Sequence, residues 1–210
     1  MATRLFTAIS VVVLLAGVVT YSHVKSKRGR VNGLPAGFTV NYTLTENGKV
    51  TCLSSKSVKS DGEFLEDYNY INADGTSNRH TRMAGTLKYG AVFIDDAQQK
   101  LKYIGNAALV HPQSDVDELN FKQSPDFKGE NTLLGFHVLV SQQCFPDGGC
   151  SEFWNAPALG GEALRIVFSS TNVVKEATEV KMGEPSFSVP EYPVDNSTYQ
   201  LMQQKRGKSQ

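Results

Sequence analysis

From Phe38 onward the polarity of the chain alternates. Phe38, Val40, Tyr42 and Leu44 take one phase, and Thr39, Asn41, Thr43 and Thr45 take the other. A period of two predicts a half-buried strand. Asn47-Gly48 then supplies a hairpin turn, and Val50–Leu53 returns. The same grammar predicts strands over Phe64–Ile71, Thr86–Ile94, Leu101–Ile104, Ala107–Val110, Thr132–Val140, Ser151–Trp154, Ala163–Phe168 and Val173–Lys181. Asn72-Ala73-Asp74-Gly75 is one of their turns. Helical pattern in this part is confined to short pieces, Gln113–Leu119 and Ser197–Gln204. The expected fold is therefore mainly β: a single curved antiparallel sheet or a partly open barrel, with a sandwich as the other arrangement the pattern allows.

The first residues obey a different rule. Leu5 to Val24 carry no charge and are bracketed by Arg4 and by Lys25, Lys27, Arg28 and Arg30. The run approaches the ~20 residues that span a bilayer as a helix. Its centre, Ala8–Val19, also fits a secretory signal, but no Ala-x-Ala cut site is present, and the best candidate lies after Ser22. Three readings stand: an uncleaved anchor, a removed signal peptide and a buried helix. The downstream basic residues oppose export of the domain that succeeds them. The expected organisation is a signal peptide or membrane-anchor helix over 1–24, a basic linker over 25–36, a β-rich extracytoplasmic domain over 37–195 and a basic tail over 196–210. The expected location is the periplasm or cell envelope, with the chain either membrane-anchored or secreted.

A net charge of zero hides an asymmetry. Eight of the 21 basic residues lie in the first 30 and last ten positions, which hold no acid. Residues 31–200 thus carry 13 basic against 21 acidic side chains, a net of −8, which argues against a nucleic-acid partner. Cys144 and Cys150 enclose Phe-Pro-Asp-Gly-Gly between two strands. A disulfide across that turn is the expected form and suits an oxidising compartment. Two free thiols are the alternative, and a metal pair lacks further ligands. Cys52 reads as a small buried side chain.

The motifs of common chemistries are missing. No nucleophile elbow, phosphate loop or metal-spaced histidine pair occurs among His23, His80, His111 and His137. The acidic groups Glu63/Glu66/Asp67, Asp95/Asp96 and Asp115/Asp117/Glu118 read as solvated clusters. No catalytic residue, metal ligand or cofactor is singled out, and a hydrolase with a scattered site ranks last. Aromatic side chains are the more suggestive signal: Tyr89, Phe93 and Trp154 are the candidate face for an apolar ligand.

Several stretches resemble a known group. Asn72-Ala73-Asp74-Gly75-Thr76, the hairpin Leu134-Gly135-Phe136, Glu152–Gly160, Lys181–Pro185 and Phe187–Pro190 together resemble uncharacterised, signal-led β-rich bacterial envelope proteins over roughly Asn72–Tyr192. Gly161 stands where those proteins often carry a cysteine, and the link from Pro185 to Phe187 is shorter than theirs. The resemblance implies a curved-sheet domain like the carriers that move lipoproteins across the periplasm, and it transfers no catalytic residue. The function expected from residues and resemblance is binding of an apolar or amphipathic ligand, lipid included, on a curved sheet. The alternative is a membrane-anchored module for structure or protein interaction.

Overall fold

The computed structural model describes residues 37–105, 118–145, 149–197 and 200. The Leu5–Val24 segment, the basic linker, Ala107–Val110, His23, His111 and nearly all of the basic tail lie outside the described residues. Among those described, no helix is long and apolar enough to cross a membrane.

The described residues build one open sheet of twelve strands: β1 Phe38–Glu46, β2 Lys49–Val58, β3 Phe64–Ile71, β4 Ser77–Thr86, β5 Gly90–Asp95, β6 Lys100–Gly105, β7 Phe127–Leu133, β8 Phe136–Cys144, β9 Cys150–Ala156, β10 Glu162–Phe168, β11 Val173–Met182 and β12 Val194–Asp195. One short helix, α1 Glu118–Lys122, precedes β7. The order is β12-β6-β5-β4-β3-β2-β1-β11-β10-β9-β8-β7. Two runs of consecutive hairpins are thus joined where β1 meets β11, residue Phe38 opposite Met182. Every pairing is antiparallel except β12 on β6. The expectation of a single curved antiparallel sheet holds, and the sheet is open, with β7 and β12 as the two ends of the order.

Turn chemistry explains where strands begin and end. Asn47 and Gly48 both adopt positive φ, 51° and 78°, the pair of left-handed residues a two-residue hairpin needs. Asp74 Oδ1 accepts from the Thr76 backbone N–H at 2.9 Å and fixes the β3–β4 turn. Two predicted strands prove to be hairpins. Thr86–Ile94 breaks at Leu87–Tyr89, where Thr86 Oγ1 accepts from the Tyr89 N–H at 2.9 Å. Thr132–Val140 breaks at Leu134-Gly135, with φ of 52° and 81°. A leucine in the left-handed region is rare, so composition conceals that turn. The polar stretch Asn78–Arg82 is the outer half of β4, exposed enough that alternation does not mark it. Gly183 turns the chain out of β11, and Glu184-Pro185 opens an extended arm that runs to β12. β9 does end at Ala156, and Pro157 starts a single 3-10 turn, because proline cannot donate to the ladder.

Cys144 and Cys150 sit directly opposite each other across the β8–β9 pair and form a disulfide. Closing so short a loop is worth about 2 kcal/mol by loop entropy. Reduction, followed by chemical denaturation, is expected to lower stability by about that amount. Cys52 is buried and its thiol is pushed up to about 11 by desolvation, with Lys175 opposing. Alkylation of the native oxidised protein should therefore leave all three cysteines unmodified.

Candidate functional site

The two faces of the sheet differ. Register places Phe38, Val58, Phe64, Gly85 and Ala91 in one cross-strand row. Val40, Lys56, Glu66, Met83 and Phe93 form the next, and Tyr42, Ser54, Tyr68 and Thr81 a third. On the other side of β1, Leu44 continues through Lys175, Ile166 and Phe153 to Ser141. This face is buried: Phe38, Val40 and Tyr42 are 2% exposed or less. Gly85 is required there, because a Cβ would collide with the Phe64 ring.

Charge occurs in the middle of this apolar face. Lys56 Nζ lies 2.6 Å from Glu162 Oε2, and Lys175 Nζ lies 2.9 Å from Glu66 Oε1. Tyr42 donates its hydroxyl to Glu162 Oε1 at 2.7 Å and is 3.2 Å from the Ala163 carbonyl. Tyr68 hydrogen-bonds Glu66. The Lys175 ammonium also stands 4.2 Å above the Tyr42 ring and 5.6 Å from the Tyr68 ring centroid. Each carboxylate thus holds one ammonium and one phenol, and the set is neutral.

Both ion pairs step over two intervening strands, β1 and β11 or β1 and β2. On a flat sheet those strands lie ~14 Å apart, and side chains standing perpendicular to it would not meet. They meet because the sheet curls toward this face. Burial by itself raises the Glu66 carboxyl. The ammonium groups of Lys175 and Lys56, with hydrogen bonds from Lys175 and Tyr68, outweigh it and bring Glu66 down to about 2. Desolvation first, then the neighbouring carboxylates, raise the Tyr42 and Tyr68 phenols well above their ordinary value. Both phenols therefore stay neutral donors. Glu66 is held as the carboxylate while both phenols keep their protons. Two hydroxyls in the Tyr68 row, Ser54 Oγ and Thr81 Oγ1, are buried without a protein hydrogen-bond partner.

The residues expected to form an apolar-ligand face are not brought together. Phe93 lies on the buried face in register with Met83. Trp154 lies on the opposite face, opposite Arg165, whose guanidinium stands 5.0 Å over its ring, and it donates Nε1–H to Glu152 at 2.6 Å. Tyr89 sits in the β4–β5 turn and packs on a second apolar cluster, Ala84, Val92, Ile94 and Leu101, also on that opposite face. Five strands separate the strand bearing Trp154 from β4.

The acidic clusters divide in the same way. Glu66 points into the network, while Asp67 meets His80 at 3.0 Å, and Asp95 and Asp96 bind Lys102 and Arg82. His137 meets Glu130 at 2.7 Å. Among the described residues no group of three or more His, Cys, Asp or Glu is placed to hold a metal. Sequence reading missed the network of Lys56, Glu66, Glu162 and Lys175. The available signal was charge in the apolar phase of β2, β3, β10 and β11.

No protein-family model matches the chain, and no curated protein matches it. Solved structures to which the chain is similar include three at low identity. An uncharacterized conserved protein from Thermus thermophilus is 12% identical with a TM-score of 0.47, covering 78% of this chain and 91% of that one. The MucA/MucB complex of Pseudomonas aeruginosa is 15% identical with a TM-score of 0.41, covering 71% of this chain and 53% of that one. A domain assigned as an outer membrane lipoprotein-sorting protein from Vibrio parahaemolyticus is 9% identical with a TM-score of 0.23, covering 74% and 88%. No residue role is taken from any of them.

Proposed function

We propose that this is an extracytoplasmic binding protein whose buried sheet face receives the apolar part of an amphipathic ligand. The observation that carries the reading is the composition of that face. Phe38, Val40, Phe64, Met83, Phe153 and Ile166 make an apolar wall around a neutral Lys/Glu/Tyr network that leaves the Ser54 and Thr81 hydroxyls without protein partners. An apolar surface with a few placed polar groups is the usual form of a small-molecule site. The Cys144–Cys150 disulfide supports an oxidising compartment.

A second reading, an anchored module for protein interaction, is favoured by how completely Val40, Val58 and Leu139 are enclosed. On that reading the network fixes strand register, and binding uses exposed side chains such as Leu87 and Leu119, 75% and 68% exposed. Native purification of the full chain, followed by organic extraction and mass spectrometry, separates the two. A stoichiometric acylated compound is the expected result. A clean extract together with a stoichiometric co-purifying protein would establish the second reading instead.

A further inference from the structure

The second apolar cluster is covered by the protein's own C-terminal arm, residues 183–195. Val189 and Tyr192 pack on Ala84, Val92, Ile94 and Leu101. The arm is extended and carries Pro185, Pro190 and Pro193. Glu184 accepts from the backbone N–H groups of Gly37 and Ser60, each at 3.1 Å. Lys59 stands 4.4 Å over the Phe187 ring, and Glu191 pairs with Lys88 at 2.9 Å. Leu101 donates its N–H to the Pro193 carbonyl at 3.0 Å, and Val194–Asp195 adds a parallel strand to Leu101–Lys102. The arm is therefore a peptide in a groove, held by an edge pairing and by side-chain contacts along an extended backbone.

None of the contacts from Glu184 onward depends on the arm belonging to the same chain. The arm is tied to its own groove by the turn at Gly183, whose φ of 132° is one that other residues rarely adopt. The anchoring ion pair is open to water, its side chains 62% and 83% exposed, and the strand contact is two residues long. An arm that leaves exposes both an apolar cluster and the β6 edge, and the arm of a second copy offers the same contacts. We propose that the arm is exchangeable, so that two copies trade residues 184–195 in a reciprocal two-fold dimer.

Two measurements on the full chain test this. Gly183→Val adds a side chain where nothing lies within 4 Å, so it strains only the turn. An exchanged hinge can straighten, so light scattering across a concentration series should show the dimer constant strengthened about tenfold or more. A variant that stays monomeric at millimolar concentration, with its arm docked or loose, overturns the proposal. The second test is a charge swap. Lys88→Glu and Glu191→Lys each place like charges at the groove in their own monomers and homodimers. Only an exchanged heterodimer pairs Glu with Lys at one groove and Lys with Glu at the other. Native mass spectrometry of the equimolar mixture should show heterodimer well above the twofold excess over each homodimer that random mixing gives; a statistical ratio or absent heterodimer contradicts exchange.

Discussion

Glu66→Gln is expected to destabilise the protein by about 3–5 kcal/mol, because it leaves the Lys175 ammonium buried without its carboxylate. Lys175 and Glu66 side chains are 9% and 7% exposed, so water cannot replace the lost partner. Lys175→Met should cost a similar amount, for the mirror reason. Glu66→Leu combined with Lys175→Met removes both charges and should recover most of the loss, since a buried pair gains little over apolar side chains of similar volume. Urea denaturation of these variants, with the single Glu66→Leu added to close it, gives the double-mutant cycle. If either single variant unfolds outright, Tyr68→Phe removes one hydrogen bond to Glu66 and should cost about 1 kcal/mol. Single and double variants that are equally and mildly destabilised would show that the pair is solvated in solution and that the face is open.

Acid should unfold the protein earlier than its surface carboxylates would require. The Glu66 carboxyl falls from an ordinary 4.5 to about 2 in the folded chain. A depressed carboxylate contributes stability that is fully present above its unfolded pKa and is lost as pH falls toward the folded value. The window is therefore about 4.5 down to about 2. The loss across it is on the order of 3 kcal/mol, a large share of a typical domain's stability. Denaturation at a series of pH values should show this slope in the wild type. The slope should be reduced in the Glu66→Leu, Lys175→Met variant, which keeps every surface carboxylate but lacks this one. An unchanged slope would assign the acid sensitivity to surface carboxylates instead.

The fold was legible because many strands obey a period of two and some of them end in Asn-Gly or Asp-Gly turns, as at Asn47-Gly48 and Asp74-Gly75. Phe38–Leu44 and Ala163–Phe168 alternate as their sequences read, buried at every second position. Legibility failed where a turn used residues that do not advertise one, as at Leu87–Tyr89; at Leu134 the resemblance marked a hairpin that polarity alternation did not. It failed more instructively at the buried face. Glu66 reads as one of three neighbouring acids along the chain, yet in the pleat it shares a phase with Phe64 and Tyr68, and Asp67 points the other way. Its partner Lys175 is 109 residues distant, and Lys56 and Glu162 are 106 apart. Strand order decides such pairs, and a single sequence does not state that β1 pairs with β11. The expected ligand face of Tyr89, Phe93 and Trp154 failed for the same reason: residue type names candidates, but only phase and strand order decide which share a surface. The groove beneath the C-terminal arm was likewise hidden, because Val189 and Tyr192 reach Val92 and Leu101 from the far end of the chain.

Site mapping offers the most direct test of the ligand-receiving face. The full-length protein, purified in detergent and exchanged into buffer, is irradiated with a diazirine-bearing acyl ester, digested and sequenced by mass spectrometry. Adducts concentrated on buried-face residues, Phe64, Met83, Phe93 and Ile166 among them, and competed by unlabelled ester, are the predicted result. Adducts scattered over outward side chains such as Leu53 and Trp154, or no labelling above a denatured control, would contradict it.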